Sequence, residues 1–263
     1  MNRNNQTEAM KSLAIIPARY ASTRFPAKPL VMLDGKMIIE RVYRQAKRAF
    51  SDVVVATDDQ RIIDAVESFG GYAVMTSSKH QCGTDRCYEA LQIVGGDYDI
   101  VVNVQGDEPF VRPEQLKALV ACFEDSSIDI ATLVKPFTPA DGLEALQNPN
   151  SPKVVLSKDM RAMYFSRSVI PYMRDTKPEE WLTKHTYYKH LGLFAFRAHL
   201  LAEITALEQT PLELTEKLEQ LRWLENGYRI GVAITEEKTV GIDTPEDLCR
   251  AERFLATHRE LFL

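Results

Sequence analysis

Four short apolar runs limit most strongly what this chain can become: Leu13 to Ile16, Val53 to Ala56, Ile100 to Val102 and Ile128 to Val134. They are continuous rather than alternating, the pattern of parallel strands covered on both faces. Helical periodicity fills the gaps between them. Lys36 to Phe50 places Ile38, Ile39, Val42, Ala46 and Ala49 on one side. Beyond Asp58 or Asp59, either of which can cap, Ile62, Ile63, Val66 and Phe69 recur until Gly70-Gly71 stops the pattern. A third short strand is predicted over 72–75, and helices over 84–94 and 113–124, the latter opening on Pro113. Strand and helix alternating at this rhythm give an α/β fold with a doubly wound, mostly parallel sheet. Ligands of such sheets sit beyond the carboxyl ends of the strands. The loops at 18–28, 76–84 and 105–109 therefore share one rim.

After Pro136 the rhythm changes. Residues 136–153 read as loop, and antiparallel strands are predicted at 154–156, 162–165 and 191–196, with a polar stretch from Arg174 to His185 between the last two. The expected organisation is a nucleotide-binding α/β domain over 11–135 and 201–263, carrying an inserted smaller part over 136–200 that covers the rim. A helix over 214–225, a strand over 230–234 and a helix over 245–257 complete the α/β domain. The polar stretch Met1 to Met10 reads as a disordered tail without the apolar core of a signal peptide, and Met10 is an alternative start. A chain of 263 residues, 45% of them hydrophobic, suffices for one domain with a large insertion. The four cysteines form no C-x-x-C pair, which points to a reduced, cytoplasmic chain without structural zinc. No apolar run approaches the roughly 20 residues of a membrane helix. The net charge of −5 speaks against nonspecific nucleic-acid binding.

Against that acidic background the first rim loop is basic. It carries Arg19, Arg24 and Lys28, with no Asp or Glu from Ala9 to Leu33. Cations without local counter-charge repel one another, so an anion is expected there; Arg offers a fork for phosphate oxygens and Lys a point charge. Ala18, Ala21, Ser22 and Ala27 are small enough for a ligand to approach the backbone, and Pro17, Pro26 and Pro29 stiffen the loop. Neither G-x-x-x-x-G-K-[ST] nor G-x-G-x-x-G follows the first strand, so long basic side chains replace a glycine cradle. At 104–109, V-Q-G-D-E-P puts Gln105 and Asp107 on the rim, and Asp107 suits Mg²⁺, which bonds one or two carboxylates plus substrate phosphates. At 241–247, Thr244, Pro245 and Asp247 make a capping box, leaving Asp243 available as a second metal ligand. Between Ser77 and Arg86, the hydroxyl of Ser78, Cys82 and Gly83 lie in a loop suited to reading a base edge or a ribose, with Thr84 as the expected cap of the following helix. Arg167 could bind a carboxylate bidentately, and His190, Glu219 and Gln220 could bind sugar hydroxyls.

Taken together, A-I-I-P-A-R-Y-A-S-T-R-F-P-A-K-P-L at 14–30, H-Q-C-G-T-D-R at 80–86, N-V-Q-G-D-E-P at 103–109, Y-F-S-R at 164–167, K-H-L-G at 189–192, L-E-Q-L-R at 218–222 and G-I-D-T-P-E-D-L at 241–248 resemble the sugar-acid cytidylyltransferases. The resemblance runs from about Lys11 to Glu252. It implies a Rossmann-like nucleotidyltransferase sheet, a sugar-binding and dimerising part, a homodimer, and Mg²⁺-dependent transfer of CMP from CTP to a sugar acid with release of pyrophosphate. Kdo (3-deoxy-manno-octulosonate), used in lipopolysaccharide biosynthesis, is the acceptor the motifs favour; an amino-Kdo or sialic acid is the alternative. Carried over by position, the catalytic residues are Arg19, Lys28, Asp107 and Asp243, the two aspartates holding the metal. The nucleotide falls to Ala18, Arg19, Ser22, Lys28, Ser78, Cys82, Gly83, Gln105 and Asp107, and the sugar to Gln105, Arg167, His190, Glu219 and Gln220. Cys82 stands where the family usually has serine, and Ser77 where some members have arginine.

Overall fold

In the computed structural model, residues 10–21, 25–237 and 241–262 are described. Ser22 and Arg24, given to the ligand above, and the predicted tail over 1–9 lie outside these residues. In chain order the elements are β1 (Ser12–Ala18), β2 (Met32–Leu33), β3 (Lys36–Met37), α1 (Ile38–Ala49), β4 (Asp52–Thr57), α2 (Gln60–Ser68), β5 (Ala73–Met75), α3 (Gly83–Val94), β6 (Ile100–Asn103), α4 (Pro113–Ala121) and β7 (Ile130–Pro136). Then come α5 (Gly142–Gln147), β8 (Lys153–Leu156), β9 (Ala162–Ser166), α6 (Trp181–Lys184), β10 (Tyr188–Arg197), α7 (Leu201–Ala206), α8 (Pro211–Glu216), α9 (Gln220–Glu225), β11 (Ile230–Ile234) and α10 (Pro245–Thr257).

The main sheet runs β11-β7-β10-β6-β1-β4-β5, with β8 joined to β10 and β9 to β8. β6, β1, β4 and β5 are mutually parallel, as are β11 and β7. β10 lies antiparallel between β6 and β7. The continuous apolar runs explain the layering. Ala14, Ile16, Val53, Val55, Val102 and Val104 enter one core cluster, and Leu13, Ile15, Val54, Ala56 and Val101 enter another. Successive side chains point to opposite faces, so only a run apolar at every position can serve helices on both sides.

Four differences from the sequence reading bear on the site. The predicted helix from Lys36 starts at Ile38, because Lys36–Met37 pairs with Met32–Leu33 in a small hairpin. The helix over 84–94 is capped by Cys82, not Thr84: the Cys82 sulfur accepts from the Asp85 N–H. The predicted helix over 214–225 is two helices, α8 and α9, separated at Lys217, whose φ of 54° is left-handed. Lastly, the predicted insertion over 136–200 is not a separate layer throughout. Its strand Tyr188–Arg197 sits in the main sheet, where residues of the fully apolar stretch Leu193 to Phe196 pair with β6 and β7. A register shift between His190 and Phe194 spans Gly192, whose φ is 73°. It lets the N-terminal half of the same strand continue outward to β8.

Candidate active site

Three chain segments meet where β1 and β6 end. Gly106 lies so close to β1 that a Cβ placed on it would fall 2.7 Å from the carbonyl oxygen of Pro17. Only glycine permits that approach. The backbone N–H of Ile242 donates to the carbonyl of Asp107 at 3.0 Å, joining the segment before α10 to the same junction. Thr244 caps α10 in a box with Asp247, whose carboxylate also accepts from the Asp243 N–H. With capping assigned to Thr244 and Asp247, the side chain of Asp243 projects from the last residue before the cap. The outcome is that Lys28 Nζ donates to Asp107 Oδ2 at 2.7 Å and to Asp243 Oδ1 at 3.0 Å. Two carboxylates from distant parts of the chain thus converge on one ammonium.

Two cavities share this junction. The first, about 270 Å³, is lined by Ala18, Arg19, Lys28, Cys82, Gly83, Gln105, Asp107 and Asp243 among others. These are the nucleotide and catalytic residues expected from the sequence, apart from Ser78, which does not line it, and Ser22, outside the described residues. The second, about 890 Å³, is lined by Gln105, His190, Glu219, Gln220 and Asp243, together with Glu108, Lys189 and Lys217. Gln105 and Asp243 belong to both walls. Gln105 is held across the gap by donating to Gly192 O at 3.4 Å.

Arg167 is placed otherwise than the sequence suggested. Its guanidinium donates to the carbonyls of Glu216, Lys217 and Pro149 at 2.6, 3.2 and 2.9 Å, and it does not line the second cavity. Carbonyls at a helix end lack intrahelical partners, and Arg167 supplies them at the end of α8. The same contacts hold Lys217 in its left-handed turn, which starts α9 afresh and sets Glu219 and Gln220 on the cavity wall. Arg167 therefore shapes the wall from behind.

His190 is buried between Phe165 and Phe194. The Thr132 hydroxyl donates to Leu193 O at 2.6 Å, so its oxygen accepts from His190 Nε2–H at 2.9 Å. Nδ1 is then the acceptor for Gln220 Nε2 at 3.4 Å. Both ring nitrogens are used and the ring is neutral; burial pulls its pKa down to about 3. His190 positions Gln220. Glu219 accepts from the Cys82 thiol at 3.1 Å and from Arg222 at 3.3 Å, and burial raises its pKa. Burial first, and the Glu219 charge second, push the thiol pKa up, so Cys82 is a neutral donor. Cys82 lines the first cavity and Glu219 the second, so this contact ties the two walls together.

Sequence reasoning missed Arg86, Glu108 and Lys189. Arg86 lines the first cavity while bonded to Thr76 at 2.6 Å and Asp58 at 3.2 Å. Glu108 has one carboxyl oxygen sealed from solvent without a hydrogen bond, and burial, aided by Asp107, raises its pKa to about 8. Both stood inside quoted motifs, but their partners lie on other strands. No helix among the described residues is long and apolar enough to cross a membrane.

The cytidylyltransferase family pattern matches residues 13–233. A protein of Phocaeicola vulgatus described as a 3-deoxy-manno-octulosonate cytidylyltransferase is 64% identical over 246 residues, 94% of this chain and 98% of its own length. One from Thermodesulfovibrio yellowstonii, described in the same words, is 45% identical over 257 residues, 95% of this chain and all of its own. Among solved structures, a CMP:2-keto-3-deoxy-manno-octonic acid synthetase complexed with CTP aligns with a TM-score of 0.86 at 37% identity, covering 94% of this chain and 99% of that one. Similarity over this much of the chain, with the converging acidic and basic groups in place, means that it belongs to the cytidylyltransferase family, among the 3-deoxy-manno-octulosonate cytidylyltransferases.

Proposed function

We propose that this chain transfers CMP from CTP to Kdo, giving CMP-Kdo and pyrophosphate. The observation that carries the reading is the convergence of Asp107, Asp243 and Lys28 where the two cavities meet. In the reaction the anomeric hydroxyl of Kdo loses its proton and its oxygen bonds to the α-phosphorus of CTP. The bond from that phosphorus to the bridging oxygen breaks, and the electron pair leaves with pyrophosphate. Such chemistry is mostly positioning and charge neutralisation. The first cavity is sized and charged for the nucleotide: Arg19 and Lys28 take phosphate oxygens, and Cys82 and Gly83 face the base or ribose. The second accommodates the sugar acid, with Gln105 at the boundary.

The donor set fits Mg²⁺. Two carboxylate oxygens within reach of one ammonium are hard ligands on the same side of the junction, and Mg²⁺ completes such a site with substrate phosphates. Asp107 and Asp243 would hold it. When bound there, Mg²⁺ supplies neutralisation of phosphate charge and acidifies the attacking hydroxyl. Lys28 then turns from the aspartates to the leaving pyrophosphate, and Arg19 stabilises the same charge. A cytoplasmic site of action agrees with the CTP requirement. We further read the active form as a homodimer built on the segment over 160–172.

The test is pyrophosphate release from CTP with and without Kdo and with and without Mg²⁺. Release should require all three. Asp107→Ala and Asp243→Ala should each lower it by about 10²- to 10³-fold, as removal of a preorganised group at a reacting centre does, while CTP still binds. Near-normal turnover of both variants at saturating Mg²⁺ would remove the aspartates from the metal site. Release with an amino-Kdo or sialic acid but not with Kdo would keep the chemistry and change the acceptor. CTP binding without release for any sugar acid would overturn the reading.

A further inference from the structure

Lys189 occupies the middle of a row of lysines. In the strand register it is paired with Lys135 of β7 on one side and Lys153 of β8 on the other. Paired residues of antiparallel strands point to the same face, and like charges set directly opposite each other are destabilising. The two outer lysines are satisfied locally: Lys135 donates to the Glu236 carbonyl, and the buried Lys153 donates to the Asn148 and Arg167 carbonyls at 3.1 and 2.5 Å. Lys189, between them, makes no hydrogen bond or ion pair with the described residues, and it lines the acceptor-side cavity. Glu108, on the same wall, feels the Lys189 charge without forming an ion pair with it.

The remaining basic residues of that wall are committed elsewhere. Arg250 is paired with Asp247, and Lys217 is an exposed turn residue whose carbonyl is held by Arg167. Arg167, the obvious candidate for a sugar-acid carboxylate, spends its guanidinium on three carbonyls. A half-buried ammonium flanked by two like charges, facing a cavity and lacking a partner, is an arrangement completed by an anion.

We propose that Lys189 binds the carboxylate of the acceptor sugar acid and thereby selects an acidic sugar over a neutral one. The inference rests on the cytidylyl transfer proposed above. It adds a specificity-determining contact that neither motif spacing nor Arg167 supplies. The ammonium offers a point charge rather than a fork, so orientation of the sugar falls to Gln105, Gln220 and Glu219 around it.

The experiment compares the full-length protein with Lys189→Met and Lys189→Arg, using Kdo and its uncharged methyl ester as acceptors. Lys189→Met should raise KM for Kdo about 10- to 100-fold, the worth of a hydrogen bond to a charged group. kcat and KM for CTP should stay within about threefold, and Lys189→Arg should recover most of the loss. The wild type should prefer the acid over the ester by a similar factor, and Lys189→Met should lose that preference. A purely structural lysine would lower stability without abolishing discrimination between acid and ester. Retained discrimination in Lys189→Met, or an effect confined to KM for CTP, would overturn the proposal. Calorimetric titration of Kdo into wild type and Lys189→Met separates the two readings. A wild type that binds Kdo through Lys189 without releasing pyrophosphate would sink the transfer reaction alone. Equal Kdo affinity in both proteins would sink the role of Lys189 alone.

Discussion

At His190 a single protonation state is built into the packing. The chain of donors from Gln220 through the ring to Thr132 and the Leu193 carbonyl has one consistent direction, and it requires neutral imidazole. An unfolded histidine titrates near 6.5, while burial lowers the folded value to about 3. Between these two values the unfolded chain binds the proton and the folded one does not. Stability from this group is therefore complete above pH 6.5 and falls as pH drops below it. From pH 7.5 to 5 the loss is about 2 kcal/mol, at 1.36 kcal/mol for each unit below 6.5. Denaturant unfolding of wild type and His190→Gln should show the wild-type advantage shrinking by that amount over this interval. An advantage independent of pH would mean that the ring accepts a proton in the folded state without cost. The same residue marks what sequence can tell at this scale. The K-H-L-G motif put His190 at the site, yet its role behind Gln220 depends on Thr132, which is not near it in the chain. Arg167 was misread for the same reason. Its fate depends on where α8 ends, and neither residue type nor local spacing encodes that. Asp243 was legible because Thr244 and Asp247 account for the helix cap between them and leave the preceding carboxylate over.

The rim loops behave as one element because they touch through backbone. Gly106 against Pro17 and Ile242 against Asp107 fix the loop after β6 to the end of β1 and to the entry of α10. Alanine at 106 would put a methyl group 2.7 Å from the Pro17 carbonyl, so the loop has to shift, and Asp107 with it. Gly106→Ala should cost about 1–3 kcal/mol, as overpacking does, and should reduce turnover through displacement of Asp107. Gly83 is the control. A Cβ there meets the Asn103 amide at 3.4 Å, an ordinary contact with a side chain that can adjust, so Gly83→Ala should be nearly neutral in stability. Thermal unfolding and pyrophosphate release measured on both variants check this, and equal effects would show that the approach to Pro17 does not hold the loop. The glycine was visible in V-Q-G-D-E-P as a place for close approach. That the approaching group is the chain's own first strand, rather than a ligand, required the parallel pairing of β1 with β6.

At the scale of the whole molecule, continuous apolar runs announced the parallel strands, but the place of β10 was hidden. A strand with a mixed first half and an apolar second half reads as an appendage; here it crosses from the outer hairpin into the middle of the sheet. The sugar-side cavity follows from that crossing, because Lys189 and His190 lie just before the register shift and face α9. The crossing also leaves the β8–β9 hairpin at a sheet margin, with β9 paired to β8. Met163 on β9 is 62% exposed and Tyr172 just beyond it 76%. An edge strand carrying large exposed apolar side chains is a surface that proteins normally cover. The homodimer proposed above covers it with the same segment of a second copy, the self-complementary contact that a two-fold axis requires. Sedimentation equilibrium should give a mass twice the 29.9 kDa of one chain. Met163→Asp combined with Tyr172→Asp should return the monomer with its secondary structure intact, since neither side chain contributes to the buried cores. A wild type that stays monomeric at micromolar concentration, or a double variant that still dimerises, would place the contact elsewhere or remove it.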